Sequence, residues 1–192
     1  MILEGIVTTI NEDDTTNVSP MGPIVDGPGF DAFVLRPFQT STTYKNLKRH
    51  GEGVLHVTDD VLLLARGAIG KLDESTVEVR DADSVNGRIL RDTCQWITFR
   101  VTELDDSTPR TTIRCHVVEK ETEREFFGFN RAKHAVLEAA ILATRIEFLE
   151  PEFILTEFER LKVIVEKTAG TQEHAAYALL DDYLRKALSN DQ

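Results

Sequence analysis

Apolar and polar residues alternate with a period of two through most of the first 129 positions, then recur at helical spacing. Residues 2–10 (Ile-Leu-Glu-Gly-Ile-Val-Thr-Thr-Ile) predict a β-branched strand, and Asn11 to Asn17 a polar turn. In the next stretch, 18–25, Pro20 and Pro23 exclude a regular central strand. It reads either as a proline-rich edge strand or as backbone laid against a flat ligand. From Ala32 the alternation resumes, and Pro37 ends it by fixing φ and withholding a ladder donor. Tyr44 to His50 predicts a short helix stopped by Gly51. A strand at 53–58 follows, then a helix at 61–70 capped by Asp59 or Asp60. Residues 71–92 are charged and mixed, predicting a short strand at 76–80 within a variable surface excursion. Strands at 95–104 and 110–120 flank a turn at 105–109, and Glu125 to Phe129 predicts a last strand. Six or seven short strands with hairpin-sized gaps point to a closed antiparallel barrel.

At Asn130, a good N-cap, the period changes. Ala135, Ala139, Leu142 and Ile146 share one stripe of a helix over 131–148. Pro151 opens a second, with Ile154, Phe158, Leu161 and Val165 in register. Thr171 caps a third, apolar at Ala176, Leu179, Leu180, Tyr183, Leu184 and Ala187. The expectation is an α+β protein with a barrel domain over 1–129 and about three helices over 130–192. The last two helices must bury their stripes against the barrel or against a second subunit, and both options stand.

Composition narrows the function. The 192 residues are 41% hydrophobic, enough for a real core, and carry a net charge of −11. Residues 1–115 hold 12 basic and 18 acidic side chains and the rest 10 and 15, so neither part is a basic surface for nucleic acid. Cys94 and Cys115 form neither a disulfide framework nor a zinc spacing. No metal site, signal peptide or membrane-length apolar run is read from the chain, and a cytoplasmic location is expected.

The candidate chemistry lies between Val34 and Leu47. A strand delivers Arg36, then Thr40, Ser41, Thr42 and Thr43, to the start of a helix. Free amides at a helix N-terminus and a guanidinium fork suit a phosphate. Ser and Thr are also ordinary N-caps, and an arginine can be satisfied by a protein carboxylate. No Ser-His-Asp, Cys-His or paired-carboxylate pattern stands out, so no catalytic residue is assigned.

Asn17-Val-Ser-Pro-Met-Gly22, Arg36-Pro-Phe38, Thr42-Thr-Tyr-Lys-Asn-Leu47, His56-Val-Thr-Asp-Asp60 and Asn130-Arg-Ala132 with Thr144-Arg145, in that order, resemble an uncharacterised family of FMN-binding split-barrel proteins. That family is related to the flavin reductases and pyridoxamine-phosphate oxidases. The resemblance spans nearly the whole chain, residues 71–92 excepted. It implies an antiparallel split β-barrel, a homodimer and non-covalent FMN. The phosphate would sit with Arg36, Ser41, Thr42 and Thr43. The ring would lie along Ser19, Pro20, Met21 and Gly22. Asn46 would either donate to the flavin or bond its own turn. Asn130 and Arg131 would form a second anion clamp, or else a cap and a solvated arginine. A flavin carries its own chemistry, so the implied function is an FMN-dependent oxidoreductase acting on a small molecule. A non-catalytic flavin carrier or sensor is the alternative. FMN, a deazaflavin and haem are all compatible with such a barrel, and the substrate is unspecified.

Overall fold

The structure, a computed structural model, describes residues 1–72 and 74–190; Asp73, within the 71–92 excursion, and Asp191 and Gln192, at the end of the expected helical domain, lie outside it. The protein is α+β. Its strands are β1 (Gly5–Ile10), β2 (Thr16–Met21), β3 (Ala32–Leu35), β4 (Glu52–Val57), β5 (Val79–Asp81), β6 (Arg88–Leu90), β7 (Gln95–Asp105) and β8 (Thr112–Thr122). Its helices are α1 (Thr42–His50), α2 (Val61–Ala68), α3 (Arg131–Ala143), α4 (Pro151–Thr168) and α5 (Thr171–Asn190). Two compact units divide the chain: 1–58 with 72–126, and 59–71 with 127–192. The sequence reading placed one cut at 129–130; here the chain passes between the units at three points.

In the first unit six strands form an antiparallel sheet in the order β2-β1-β4-β7-β8-β3. Ile24, three residues beyond β2, pairs with Ile2 on one side and Val34 of β3 on the other. Ile24 N donates to Val34 O at 2.8 Å and Val34 N to Ile24 O at 3.0 Å. The far edge strand is thereby tied back to the continuation of the first. Val7, Phe33, Leu35, Leu55, Ile97, Phe99, Ile113 and Cys115 fill one side of the sheet, with Tyr44 and Leu47 of α1 packed among them. Phe33 meets Phe99 edge-on at 5.2 Å between ring centres. Gly53 is a necessity there, since a Cβ would stand 2.8 Å from the Phe99 ring.

Three expectations are corrected. Residues 71–92 are more than a surface excursion: they carry the β5–β6 hairpin, whose Val85 and Ile89 are buried with Val54 and Trp96 on the other side of the sheet. The charged residues of this hairpin masked an apolar pair too short to show a period. Glu125 to Phe129 is irregular rather than a strand. Phe127 and Phe129 are 88% and 95% exposed, and Gly128 has φ 117°, so the segment has apolar side chains but no ladder to join. The helix expected to reach 148 also stops earlier, at Ala143, although Ile146 still packs on the helical core.

The second unit is helical. Alanines 132, 135, 139, 140 and 143 give α3 a small-residue face, against which the Ile154-Phe158-Leu161-Val165 stripe of α4 and Ala176, Tyr177, Leu180 and Leu184 of α5 are buried. Val61 and Ala65 place α2 in the same core. Its sequence is apolar nearly all round, the mark of a helix buried on several sides. Tyr177 Oη donates to Phe158 O at 2.6 Å, which satisfies a phenol set in this core. Among the described residues no helix is long and apolar enough to cross a membrane.

His56, on β4, is fully buried between the main sheet and the β5–β6 hairpin. Its Nδ1 pairs with Ile6 O at 3.3 Å and its Nε2 accepts from Leu90 N at 3.0 Å. Burial drives its pKa down to about 3, against a small opposing effect of the Ile6 carbonyl. The folded protein therefore keeps the ring neutral while an unfolded chain takes up a proton near pH 6.5. Stability linked to this residue is complete above pH 6.5 and is lost as the pH falls toward 3. Urea midpoints of the protein and of His56→Gln, followed from pH 7.5 to 4.5, should differ most at the alkaline end and converge as the pH falls; a constant difference would contradict this assignment.

Candidate functional site

The β3–α1 connection is tightly stitched. Pro37 O accepts from Thr111 N at 3.0 Å and Thr111 Oγ1 at 2.8 Å. Gln39 Nε2 donates to Asp106 O and Thr108 O, at 2.6 and 2.9 Å. Phe38 O accepts from both Ser41 N and Ser41 Oγ, at 2.9 and 2.8 Å. Ser41 is the N-cap of α1, its Oγ accepting from Tyr44 N at 3.2 Å. At the other end Gly51, with φ 70°, donates to Leu47 O and closes the helix where the sequence predicts. Lys48 and the Tyr44 hydroxyl both bond Asp106 Oδ2, at 2.7 and 2.6 Å. That contact raises the Lys48 pKa to about 12 and holds the Asp106 carboxyl below the usual carboxylate range.

Beneath α1 lies a polar network. Arg49 Nη2 donates to Ile10 O at 2.9 Å and to Asn46 Oδ1 at 3.0 Å. Asn46 Nδ2 donates to Thr9 Oγ1 at 3.0 Å and Asn11 Oδ1 at 2.9 Å. Asn17 Nδ2 donates to the same Thr9 Oγ1 and to Thr43 Oγ1, both at 3.1 Å. Thr9, Thr43 and Asn46 are all buried. Beside this network opens a cavity of about 460 Å³, lined by Asn11, Thr15, Thr16, Asn17, Val18, Thr42, Leu72 and Ser75. Its volume is in the range of small-molecule sites. A neighbouring hollow reaches Glu12 and Asp13 as well as Asn11 and Thr42. The Asp13 carboxylate is spent on Thr15, accepting from its N at 3.2 Å and its Oγ1 at 2.6 Å.

The predicted residues fall into three groups. Thr42, Thr43 and Asn46 are brought together at α1, and Thr42 is exposed and lines the cavity. Ser41 is there too, with its hydroxyl engaged in capping. Ser19, Pro20, Met21 and Gly22 follow Asn17 along the edge strand β2 and its exit, all half-buried. Met21 packs on the core cluster. Gly22 makes way for the N-terminal segment, since a Cβ there would lie 2.8 Å from Ile2 Cγ2. Arg36 is exposed just past β3, and among the described residues its guanidinium has no hydrogen-bond or ion-pair partner. Its carbonyl accepts from Arg110 Nε at 3.3 Å, and the Arg110 guanidinium lies 5.5 Å from the centre of the Phe38 ring. In the second unit, Asn130 Oδ1 caps α3 through Ala132 N and Lys133 N while its Nδ2 donates to Thr168 O, so its amide serves the helical unit. Arg131 is exposed at the start of α3. Sequence reasoning gave Asn17 no role. The signal was its place two residues before Ser19, on the same side of a strand with period two. Trp96 belongs to the core, its Nε1 donating to Glu123 Oε1 at 2.8 Å. Among the described residues no cluster of three His, Cys, Asp or Glu is placed to hold a metal.

The fold and this corner define a class: an antiparallel β unit with a hydroxyl- and amide-lined cleft at a helix N-terminus, carried on one chain with a helical unit. Residues 3–124 match the N-terminal domain, and 130–182 the C-terminal domain, of the family described as protein of unknown function DUF447, and the chain belongs to that family. Its fold is similar to the crystal structure of an FMN-bound DUF447 protein from Methanosarcina mazei, with a TM-score of 0.80, 23% identity, and coverage of 95% of this chain and 94% of that one. It is also similar, at TM-score 0.54 in each case, to the 2-nitrobenzoate 2-nitroreductase of Pseudomonas fluorescens (15% identity, 62% of this chain and 64% of that) and to flavoredoxin of Methanosarcina acetivorans (11% identity, 64% and 69%).

The caps generate a prediction of their own. Ser41→Ala and Asn130→Ala should each lower the stability of the ligand-free protein by about 1 kcal/mol, because each side chain accepts from amides at a helix start. Chemical denaturation of the single variants reads this directly, and a change under about 0.3 kcal/mol would mean that water replaces the cap at no net cost.

Proposed function

We propose that the chain is an FMN-binding flavoprotein of the split-barrel type. The cavity at the N-terminus of α1 carries this reading: it brings Thr42, the first residue of that helix, together with Thr16, Asn17 and Val18 of the edge strand β2. Arg36, exposed and unpaired among the described residues, stands just past the strand that leads into that helix. A helix start and a guanidinium suit the dianionic phosphate of a mononucleotide. The half-buried Ser19–Gly22 backbone offers a surface for the ring. The tie through Ile24 agrees with a split barrel. The FMN-bound relative, similar over nearly the full length of both chains, supports FMN over the deazaflavin and haem alternatives. Thr43 and Asn46 position the site from within the network, and Arg131 is retained as a contact for a second anion, phosphate or substrate.

When bound, the flavin supplies the electron and hydride chemistry, and the polypeptide contributes binding and orientation. On this reading the protein is an oxidoreductase for a small molecule, working in the cytoplasm as a homodimer. Nitroreductase and flavoredoxin relatives of the same fold favour that assignment over a passive carrier. Phe127, Phe129 and Phe148, at 88%, 95% and 80% exposure, supply apolar surface for a second copy.

The test is direct. The purified protein should be yellow with a flavin spectrum, and a colourless protein that binds no added FMN would sink the reading. Arg36→Ala should weaken FMN by roughly tenfold or more while leaving riboflavin little changed, as expected for one charged hydrogen bond to phosphate. Bleaching of the bound flavin by a nicotinamide donor, faster than free FMN bleaches, selects the oxidoreductase; no bleaching selects a carrier or sensor. A solution mass of one chain, 21.6 kDa, would exclude the dimer.

A further inference from the structure

We infer that a second copy of the chain docks on the outer face of the α3–α4 pair, in an antiparallel two-fold arrangement that lays the basic end of each pair on the acidic end of the other. The inference rests on the homodimer reading above and names the surface that makes it.

The two helices run antiparallel. Asn130 Nδ2 donates to Thr168 O at 3.0 Å, which ties the start of α3 to the end of α4, and residues 144–150 join the other two ends. Each helix commits one flank to α5. Lys133 of α3 pairs with Glu173 at 3.0 Å, and Glu159 of α4 approaches Arg185 at 3.8 Å. Away from α5, Arg131, His134 and Glu138 form an exposed row on α3. Phe153, Arg160 and the half-buried Ile164 form a row on α4. The rows adjoin. The Glu157 carboxylate, bonded to Arg160 at 2.8 Å, raises the arginine's pKa, and the charge of Glu138 adds to it from across the pair. Phe129 stacks on His134 at 6.0 Å between ring centres, so it stands on this face at the start of α3. Phe148 and Phe153 stand at the other end.

Apolar area and charge both point to a copy of this chain. Phe129, Phe148 and Phe153 are 95%, 80% and 51% exposed. A ring of this kind carries about 200 Å², so on the order of 400 Å² of aromatic surface is open at the two ends. The 18 residues of α4 make the face about 27 Å long, and two helices make it about 20 Å wide. That is the scale of the ~800 Å² that each partner gives to a stable interface. Two chains of charge −11 repel, so a docking face must offset the repulsion locally. The two ends of this face differ in sign. Arg131 and Lys167 stand at the Phe129 end, and Glu147, Glu150 and Glu152 at the Phe148 end, with Arg145 the one base among them. Among the described residues, the side chains of Arg131, Lys167 and these three glutamates have no hydrogen-bond or ion-pair partner. Glu166 belongs to the α5 flank: burial raises the Tyr177 pKa there, and Asp181, Glu159 and Glu166 raise it further. A two-fold axis through the middle of the pair, near Glu138 and Arg160, sets each basic end on the acidic end of the other copy. It also sets Phe129 beside the aromatic rings of the opposite end. A parallel pairing sets like charge on like.

The experiment is sedimentation equilibrium of the full chain at micromolar concentration. The wild type should sediment at twice 21.6 kDa. One variant reverses the basic end (Arg131→Glu with Lys167→Glu), and a second reverses the acidic end (Glu147→Lys with Glu152→Lys). Each alone should dissociate roughly tenfold to a hundredfold more readily, as surface ion pairs of up to about 1 kcal/mol become repulsions. Mixed in equal amounts, the two should pair with each other at least as tightly as the wild type does with itself. Phe129→Ser with Phe153→Ser should weaken the dimer while leaving the circular dichroism unchanged. Variants with wild-type circular dichroism that dimerise as the wild type does, or that fail to pair on mixing, would overturn this surface and leave the homodimer standing. A wild-type chain that stays at 21.6 kDa would overturn the homodimer reading itself.

Discussion

Everything proposed for this site depends on two buried threonine hydroxyls, Thr9 and Thr43, held by the amides of Asn17 and Asn46. A buried polar group without a partner costs on the order of 1–3 kcal/mol, so these side chains hold one another to a single arrangement. The consequence is positional. Asn17 belongs to β2, Thr9 to β1, and Thr43 and Asn46 to α1, so the network joins the edge of the sheet to the start of the helix. A helix N-terminus attracts anions only within its first turn, and its use depends on what stands beside it. Here the network sets an edge strand beside it, with a cavity between.

The same strand, β1, is buried along its whole length, because α1 and the core residues cover one face while the β5–β6 hairpin covers the other. Thr8 Oγ1 donates to Arg88 O across that second face at 2.5 Å, and His56 bridges Ile6 and Leu90. Two-sided burial explains why a strand of valine, isoleucine and threonine shows so little alternation. It also leaves the strand that carries Thr9 little freedom to shift. The cavity opens beyond the end of this strand, with the edge strand β2 as one of its walls.

Much of this was legible in the chain. The α1 segment announced itself by Ser41 at its start and Gly51 at its end, and both cap as local rules require. Asn130, Pro151 and the four-residue stripe of α4 did the same for the helical unit. Local signals of this kind are read by neighbours within one or two turns, which is why a sequence displays them. The hairpin at 79–90 and the irregular Phe-rich segment were not legible. In the first, a few buried apolar residues sit among charges; in the second, apolar residues meet no partner strand.

The sequence by itself determined most of the elements, the change from strand to helix near Asn130, and the set of hydroxyls and the arginine from which an anion site could be built, because each follows from the conformational and hydrogen-bonding preferences of a few adjacent residues. Only the tertiary structure decided that α2 belongs with the helical unit, that the Asn130 amide also reaches Thr168 O, and that Asn17 stands between helix and edge strand, bonded to Thr9 and Thr43. Those outcomes depend on which distant groups satisfy which hydrogen bonds, and a donor's partner 26 or 38 residues away leaves no mark in the chain around it.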